Sequence, residues 1–260
     1  MSRQIHPTAI VDPKAELEEN VTVGAYSVIG PGVSIGGDCE LFNHVTVAGP
    51  TAIGPGNRIF PNACIGLDPQ DKKYHGEANS RLEIGAGNTF RESVTVSRGS
   101  EAGGGVTRVG DENWIMAYCH IAHDCTIGNA TVFANGTTLA GHVAVEDRVT
   151  LGGFTAIHQF CSVGELAITG GLSKVTQDIP PYVIADGNPL RPRGINKIGL
   201  ERNGVPAEDS VRIQQAYKIF YRSRLTAQEA IARLKEELGE SPAVRKFIEF
   251  VSNSQRGVCR

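Results

Sequence analysis

The string HIAHDC, residues 120–125, sets two histidines three apart and a carboxylate directly after the second. His142 and His158 follow, in a chain of 260 residues that holds seven histidines. An imidazole titrates near neutral pH and is the usual base for activating a hydroxyl. A nearby carboxylate supports it, and a peptide N–H beside it holds the oxygen of a tetrahedral intermediate. Polar residues on an outward face are usually only solvated. His120, His123 and His142 fall within 23 residues, however, and so point to general-base chemistry. Metal binding is the other reading, since histidine is the commonest ligand. The cluster lacks an obvious acidic or cysteine partner set for it.

Whether these groups meet depends on the elements that carry them. Large apolar residues recur every six positions from Leu17 to Ile65, from Ile84 to Val96 and from Val109 to Val175. Of these 24 positions, 23 are large and apolar. A six-residue period fits neither an amphipathic helix nor an alternating strand. It predicts a hexapeptide β-helix with one short strand and one turn per unit and three units per triangular coil. Residues eighteen apart then stack about 5 Å from each other. Glycine follows the aliphatic in 11 of the 24 units and is expected to relieve the turn. The fifth position is small, as at Ala63 and Thr131, which makes Cys39, Cys119, Cys125 and Cys161 core residues. A disulfide framework or a thiolate zinc site is not expected.

The stacking rule sharpens the site. Gly141 lies one coil from His123, Gln159 continues that column, and His142 stacks on Asp124. A bare glycine amide beside the imidazole supplies an oxyanion donor that a substrate can approach closely.

Residues 66–83 and 97–108 break the period and are expected to loop out, and long loops on a rigid scaffold tend to carry function. Past about residue 190 the period stops. Residues 208–223 place Ile213, Ala216, Tyr217 and Phe220 on one helical face. Thr226 with Glu229 opens a second helix as a capping box, and Ser241 with Pro242 opens a third. The expected organisation is an all-β parallel β-helix over 1–190 and a small C-terminal α-helical domain over 191–260. Lys218, Arg222, Arg224, Arg233, Lys235, Arg245 and Lys246 make that tail locally basic, a face for an acidic partner if they are more than solvation.

Lys plus Arg is 25 and Asp plus Glu is 28, a net charge of −3, which excludes a generally basic nucleic-acid coat. No apolar run of about eighteen residues exists to span a membrane. The opening MSRQIHPTAIVDPKA lacks an apolar signal core, so a cytoplasmic location is expected.

The opening IHPTAIVDP, the loop QDKKY (70–74), RESVTV (91–96), HIAHDCTIGN (120–129) and QDIPPYVIADGN (177–188) together resemble the UDP-N-acetylglucosamine O-acyltransferases over nearly the whole chain. The resemblance implies a left-handed parallel β-helix and a homotrimer with active sites between neighbouring prisms. It implies transfer of an (R)-3-hydroxyacyl group from acyl carrier protein to the 3-hydroxyl of UDP-N-acetylglucosamine, the first step of lipid A synthesis, with no cofactor. His123 matches the catalytic base, Asp124 its support and the Gly141 amide the oxyanion donor. Asp71 and Lys73 match loop residues that bind the sugar nucleotide or donor, in a loop that reaches the adjacent subunit. His120, His142 and Gln159 match substrate-positioning residues, and Asn196 and Arg202 match residues at the nucleotide end. Gly171 matches the position that limits acyl-chain length. Asn203, Ile198 and Pro189 depart from the residues familiar at the nucleotide site.

Direct transfer without an acyl-enzyme is expected, because Cys119 and Cys125 fall at inward positions and no serine has a convincing nucleophile setting. The competing readings are a related acyltransferase acting on a glucosamine amine, acetyl-CoA-dependent acetylation, zinc hydration chemistry and a non-catalytic β-helical scaffold. The amine-acylating relatives usually carry an extra N-terminal domain, which the early start of the repeat disfavours.

Overall fold

The structure is a computed structural model describing residues 3–260. Short strands wind into a three-sided parallel β-helix. Its first face runs from Gln4–Ile5 to Arg191–Ile195, its second from Ile10–Val11 to Lys174–Val175, and its third from Glu16–Leu17 to Ser162–Val163. Every sixfold-spaced residue from Leu17 to Val175 is buried, Thr169 included. Each fully buried aliphatic contributes roughly 1.5–3 kcal/mol, which is why one inward residue per unit can hold so thin a prism. Two more units precede the counted ones, centred on Ile5 and Val11. They cap an open end, where Ile5 is 44% exposed.

Ile121 lies on Leu139 and Leu139 on Ile157, one coil apart each time. A buried asparagine ladder shows how the insertions enter this register. Asn88 N–H donates to Asn57 across 31 residues, Asn113 to Asn88 across 25, and Thr131 to Asn113 across the regular 18. Both insertions are thus absorbed whole, and the coils close up behind them. The strands Cys64–Leu67, Arg81–Ile84 and Val106–Val109 run further into the insertions than the period indicates.

Of the glycines directly after the aliphatics, Gly66 alone has a positive φ, 76°; the left-handed corner lies two residues further on, where Gly32, Gly56, Gly136, Asn20 and Asn62 do relieve the turn. The same left-handed corner is filled in other units by larger residues, such as Tyr26, His44, Tyr118, Asp124, His142, Phe160 and Leu172, with φ between 59° and 65°. Glycine is also needed where coils touch. A Cβ on Gly24 would stand 2.6 Å from the Phe42 carbonyl carbon, and one on Gly36 2.7 Å from the Pro55 nitrogen.

The prism ends in a hairpin, because Val183–Asp186 pairs antiparallel with Arg191–Ile195, beyond residue 190. Four helices follow: α1 Lys197–Arg202, α2 Ala207–Arg222, α3 Ala227–Leu238 and α4 Pro242–Asn253. Ile213, Ala216, Tyr217 and Phe220 are buried along α2, and the Thr226–Glu229 capping box is present. Ser241 precedes α4, but its hydroxyl donates to Asp209 on α2 at 3.0 Å rather than capping. Lys246 on α4 meets Glu165 at 2.6 Å and Glu146 at 3.6 Å, which fastens the helices to the prism.

Candidate active site at one corner of the prism

One corner collects most of the candidate residues. His123 and Asp124 turn from the second face (His120–Ile121) to the third (Thr126–Ile127). Gly141 and His142 make the same turn one coil on, and Gln159 and Phe160 the next. Both insertions leave from this corner too, the first between Cys64–Leu67 and Arg81–Ile84, the second between Thr95–Ser97 and Val106–Val109.

The centre is a tight imidazole–carboxylate pair. His123 Nδ1 stands 2.7 Å from Asp124 Oδ2, with side chains 15% and 1% exposed. Asp124 accepts two further bonds, at Oδ1 from the Ser100 amide (2.8 Å) and at Oδ2 from the Ser100 hydroxyl (2.6 Å). Its own amide donates to Thr107 Oγ1 at 2.8 Å. Asp124 is left-handed, φ 59°, a conformation that aspartate tolerates better than most residues. Burial disfavours its charge, but the bonds from His123 and Ser100 outweigh that and hold its carboxyl below the usual range. The Asp124 hydrogen bond in turn raises His123 above an ordinary imidazole, against the opposing effect of burial. An acceptor-only carboxylate fixes the tautomer: Nδ1 carries the proton and Nε2 keeps its lone pair.

The ring that bears that lone pair lies over Gly141. A Cβ there would come within 2.7 Å of the His123 ring. The Gly141 amide donates no hydrogen bond among the described residues and remains available to an oxyanion. His142 stands edge-on to His123 with ring centroids 5.2 Å apart, and stacks on Phe160 at 4.5 Å. His142 Nε2 is 3.8 Å from Asp124 Oδ2. His120 shares a 2.7 Å hydrogen bond with Thr95 Oγ1, and burial, then the nearby His123, lower its pKa.

Ligand atoms of His123, Asp124 and His142 lie within 4.8 Å of one another. Both Asp124 oxygens and His123 Nδ1 are already committed to protein hydrogen bonds. The cysteines beside the site are buried, and burial pushes the thiols of Cys119 and Cys125 up to about 11 and about 12.

The first loop carries Asp71 and Lys73, both exposed. The Lys73 amide donates to Asp71 Oδ1 at 3.0 Å, and the Asp71 charge favours protonated His123, as does Glu77 on the same loop. Arg98 secures that loop by bonding Asp68, the Tyr74 hydroxyl at 3.1 Å and the Gly49 carbonyl at 2.6 Å. Gln159 is exposed at the shared corner.

Three expected residues lie elsewhere on the chain. Gly171 turns between the first and second faces, where a Cβ would meet only the Gly153 carbonyl, at 3.4 Å. Asn196 caps α1, accepting from Gly199 N–H at 2.8 Å and donating to the Leu166 carbonyl at 2.9 Å. With Arg202, Arg148, Ile198 and Asn203 it lines a cavity of about 660 Å³ beside the first face.

Ser100, Thr107 and Arg98 are absent from the sequence expectations. They sit in or beside the second insertion, where the period that placed His120, His123, Gly141, His142 and Gln159 is suspended.

A hexapeptide transferase family model of six repeats matches residues 107–141. A model described as UDP N-acetylglucosamine O-acyltransferase, domain 2, matches residues 178–259. An acyl-[acyl-carrier-protein]–UDP-N-acetylglucosamine O-acyltransferase of Herminiimonas arsenicoxydans is 53% identical over 260 residues, covering 98% of this chain and 99% of its own. The enzyme of the same name from Stenotrophomonas maltophilia K279a is 46% identical, covering 99% and 98%. The solved UDP-N-acetylglucosamine acyltransferase of Francisella novicida superimposes with TM-score 0.96 at 39% identity, over 99% of this chain and 94% of its own. The O-acyltransferase of Moraxella catarrhalis gives 0.96 at 38%, over 98% and 99%.

Proposed function

The chain belongs to the UDP-N-acetylglucosamine O-acyltransferase family, and from that premise we propose that it moves an (R)-3-hydroxyacyl group from acyl carrier protein to the 3-hydroxyl of UDP-N-acetylglucosamine. This is the entry reaction of lipid A synthesis. No helix among the described residues is long and apolar enough to cross a membrane, and we place the enzyme in the cytoplasm, where its carrier-protein donor is made.

The observation that carries the mechanism is the 2.7 Å contact of His123 Nδ1 with Asp124. It leaves Nε2 as the free base. Nε2 takes the proton of the sugar hydroxyl as its oxygen attacks the thioester carbonyl carbon. The carbonyl oxygen gains the negative charge and is held by the Gly141 amide. As the intermediate collapses the C–S bond breaks, and the imidazolium returns its proton to the departing thiolate. No residue is acylated, in keeping with the raised pKa values of the neighbouring thiols. His120, His142 and Gln159 line the approach, and Asp71 and Lys73 close over it.

Gly171 and the Asn196–Arg202 group stand on other sides of the prism from His123. Packed as a homotrimer, one copy presents its His123 corner to the neighbour's chain-length and nucleotide residues. The exposed Lys218, Arg222, Arg224, Lys235 and Arg245 remain for an acidic carrier protein, whereas Arg233 pairs with Glu237 and Lys246 with Glu165.

The test is transfer from acyl carrier donors of graded length to UDP-N-acetylglucosamine and its 3-amino counterpart, with His123→Ala beside the native enzyme. Removing the base should cost about 10²–10⁴ in rate. A trimeric His123→Ala protein with full activity would refute the assignment. Co-expressed His123→Ala and Arg202→Ala chains should regain activity in mixed trimers if each site draws on two copies.

A further inference from the structure

Asp124 reaches His123 with one oxygen, yet the second insertion supplies two of the three donors that hold its carboxylate. We propose that Ser100 is a positioning residue for the reaction, and that the insertion around it clamps the Asp124 carboxylate so that Oδ2 faces His123 Nδ1. This rests on the reading of His123 as the base.

The geometry is closed on every side. Ser100 donates through its amide at 2.8 Å and its hydroxyl at 2.6 Å, one to each oxygen, so the carboxylate cannot rotate about its Cβ–Cγ bond without breaking both. Thr107, at the far end of the insertion, accepts from the Asp124 amide at 2.8 Å and pins the backbone. Between them the chain turns in a short 3₁₀ segment, Glu101–Gly103. The Asp124 carboxylate fills the space where a side chain on Gly103 would stand. Only glycine lets the segment lie flat against it.

The clamp is itself braced by the first insertion. The Glu101 amide donates to Glu77 at 2.5 Å, the Asn79 amide group to Glu101 at 3.3 Å, and the Ser80 hydroxyl to the Gly99 carbonyl at 2.5 Å. The loop that carries Asp71 and Lys73 is therefore mechanically joined to the loop that holds Asp124.

Ser100 and His123 share the Oδ2 acceptor, and this gives the proposal its signature. Withdrawing the Ser100 hydroxyl leaves Oδ2 more negative toward the imidazole and raises the His123 pKa. The other ionisable groups near that ring are Asp71 and Glu77 from the first loop, His120 from the preceding strand and His142 from the next coil. Replacing Ser100 alters none of them.

The experiment compares Ser100→Ala, Ser100→Thr and Gly103→Ala with the native enzyme, using steady-state kinetics and NMR titration of labelled histidines. Ser100→Ala should lower kcat about ten- to a hundredfold, the worth of one charge-assisted hydrogen bond, with KM for both substrates nearly unchanged. The His123 titration and the acid limb of kcat/KM should both move to higher pH. Ser100→Thr should restore rate and titration. Gly103→Ala, which displaces the carboxylate without removing a donor, should lose kcat. An unmoved His123 titration in Ser100→Ala, or a loss confined to KM, would overturn the clamp. The NMR titration needs no turnover. A clamp seen by NMR beside a fully active His123→Ala enzyme would mean that the base assignment had failed and the clamp had not.

Discussion

A Cβ on residue 141 would lie 2.7 Å from Cε1 and 2.8 Å from Nε2 of His123, so the imidazole fills the space directly above the Gly141 backbone. Glycine at 141 therefore meets two demands at once. It admits the ring, and its amide donates no hydrogen bond among the described residues.

Gly141→Ala should displace the His123 ring while leaving the coil intact. The expected loss is about 10²-fold in kcat, the usual result of shifting a reacting group by about 1 Å. The melting temperature should change little. A variant with native kcat would separate Gly141 from the chemistry.

The pH profile carries a definite sign. A base works only when deprotonated, so kcat/KM should fall as pH drops through the His123 pKa. Because Asp124 raises that pKa, the limb should lie above about 6.5, the value of a free imidazole. Asp124→Asn removes the charge and should move the limb to lower pH while reducing the plateau. A limb that stays fixed in Asp124→Asn would show that another group is being titrated.

No covalent intermediate should accumulate. Thiols raised to about 11 and about 12 at Cys119 and Cys125 hold negligible thiolate near neutrality. Intact-protein mass spectrometry of enzyme quenched with acyl carrier donor alone should show an unmodified chain. An added hydroxyacyl mass would contradict direct transfer.

The close approach between coils should be visible in stability. Gly24→Ala forces a methyl against the Phe42–Asn43 backbone and should cost about 1–3 kcal/mol, as overpacking does. Gly194→Ala meets nothing within 4 Å and should be near neutral. Chemical denaturation of the two variants checks the contrast.

The prism was readable because one aliphatic every six residues is a signal that chance does not produce, and eighteen-residue stacking then placed Gly141 under His123 and His142 on Asp124. Ile5 and Val11 keep the same six-residue step ahead of Leu17, so the two opening units obey the same rule. Where that spacing fails, so does the inference. The Arg191–Ile195 strand runs antiparallel and shares no period with the coils. Helix α1 has only six residues, too few to show a face. Ser100 is the costliest omission. Its partner lies 24 residues on, a separation set by the length of an insertion and by no repeat. The role of glycine is only partly legible for a related reason. The sequence shows where glycine recurs, but only the stacked backbone shows that φ calls for it at Gly32 and Gly56, whereas distance between coils excludes a side chain at Gly24 and Gly36.

A coil in this prism touches little besides the one above and the one below. Such a stack behaves as a one-dimensional lattice, in which disruption spreads from the ends inward. The sparsely covered rung at Ile5 and Ile10 is the natural starting point for fraying, while the far end is sealed by the hairpin and by Lys246 bridging to Glu165. His123 lies among the middle rungs, so the chain can shed order at its beginning and still keep its reactive corner assembled.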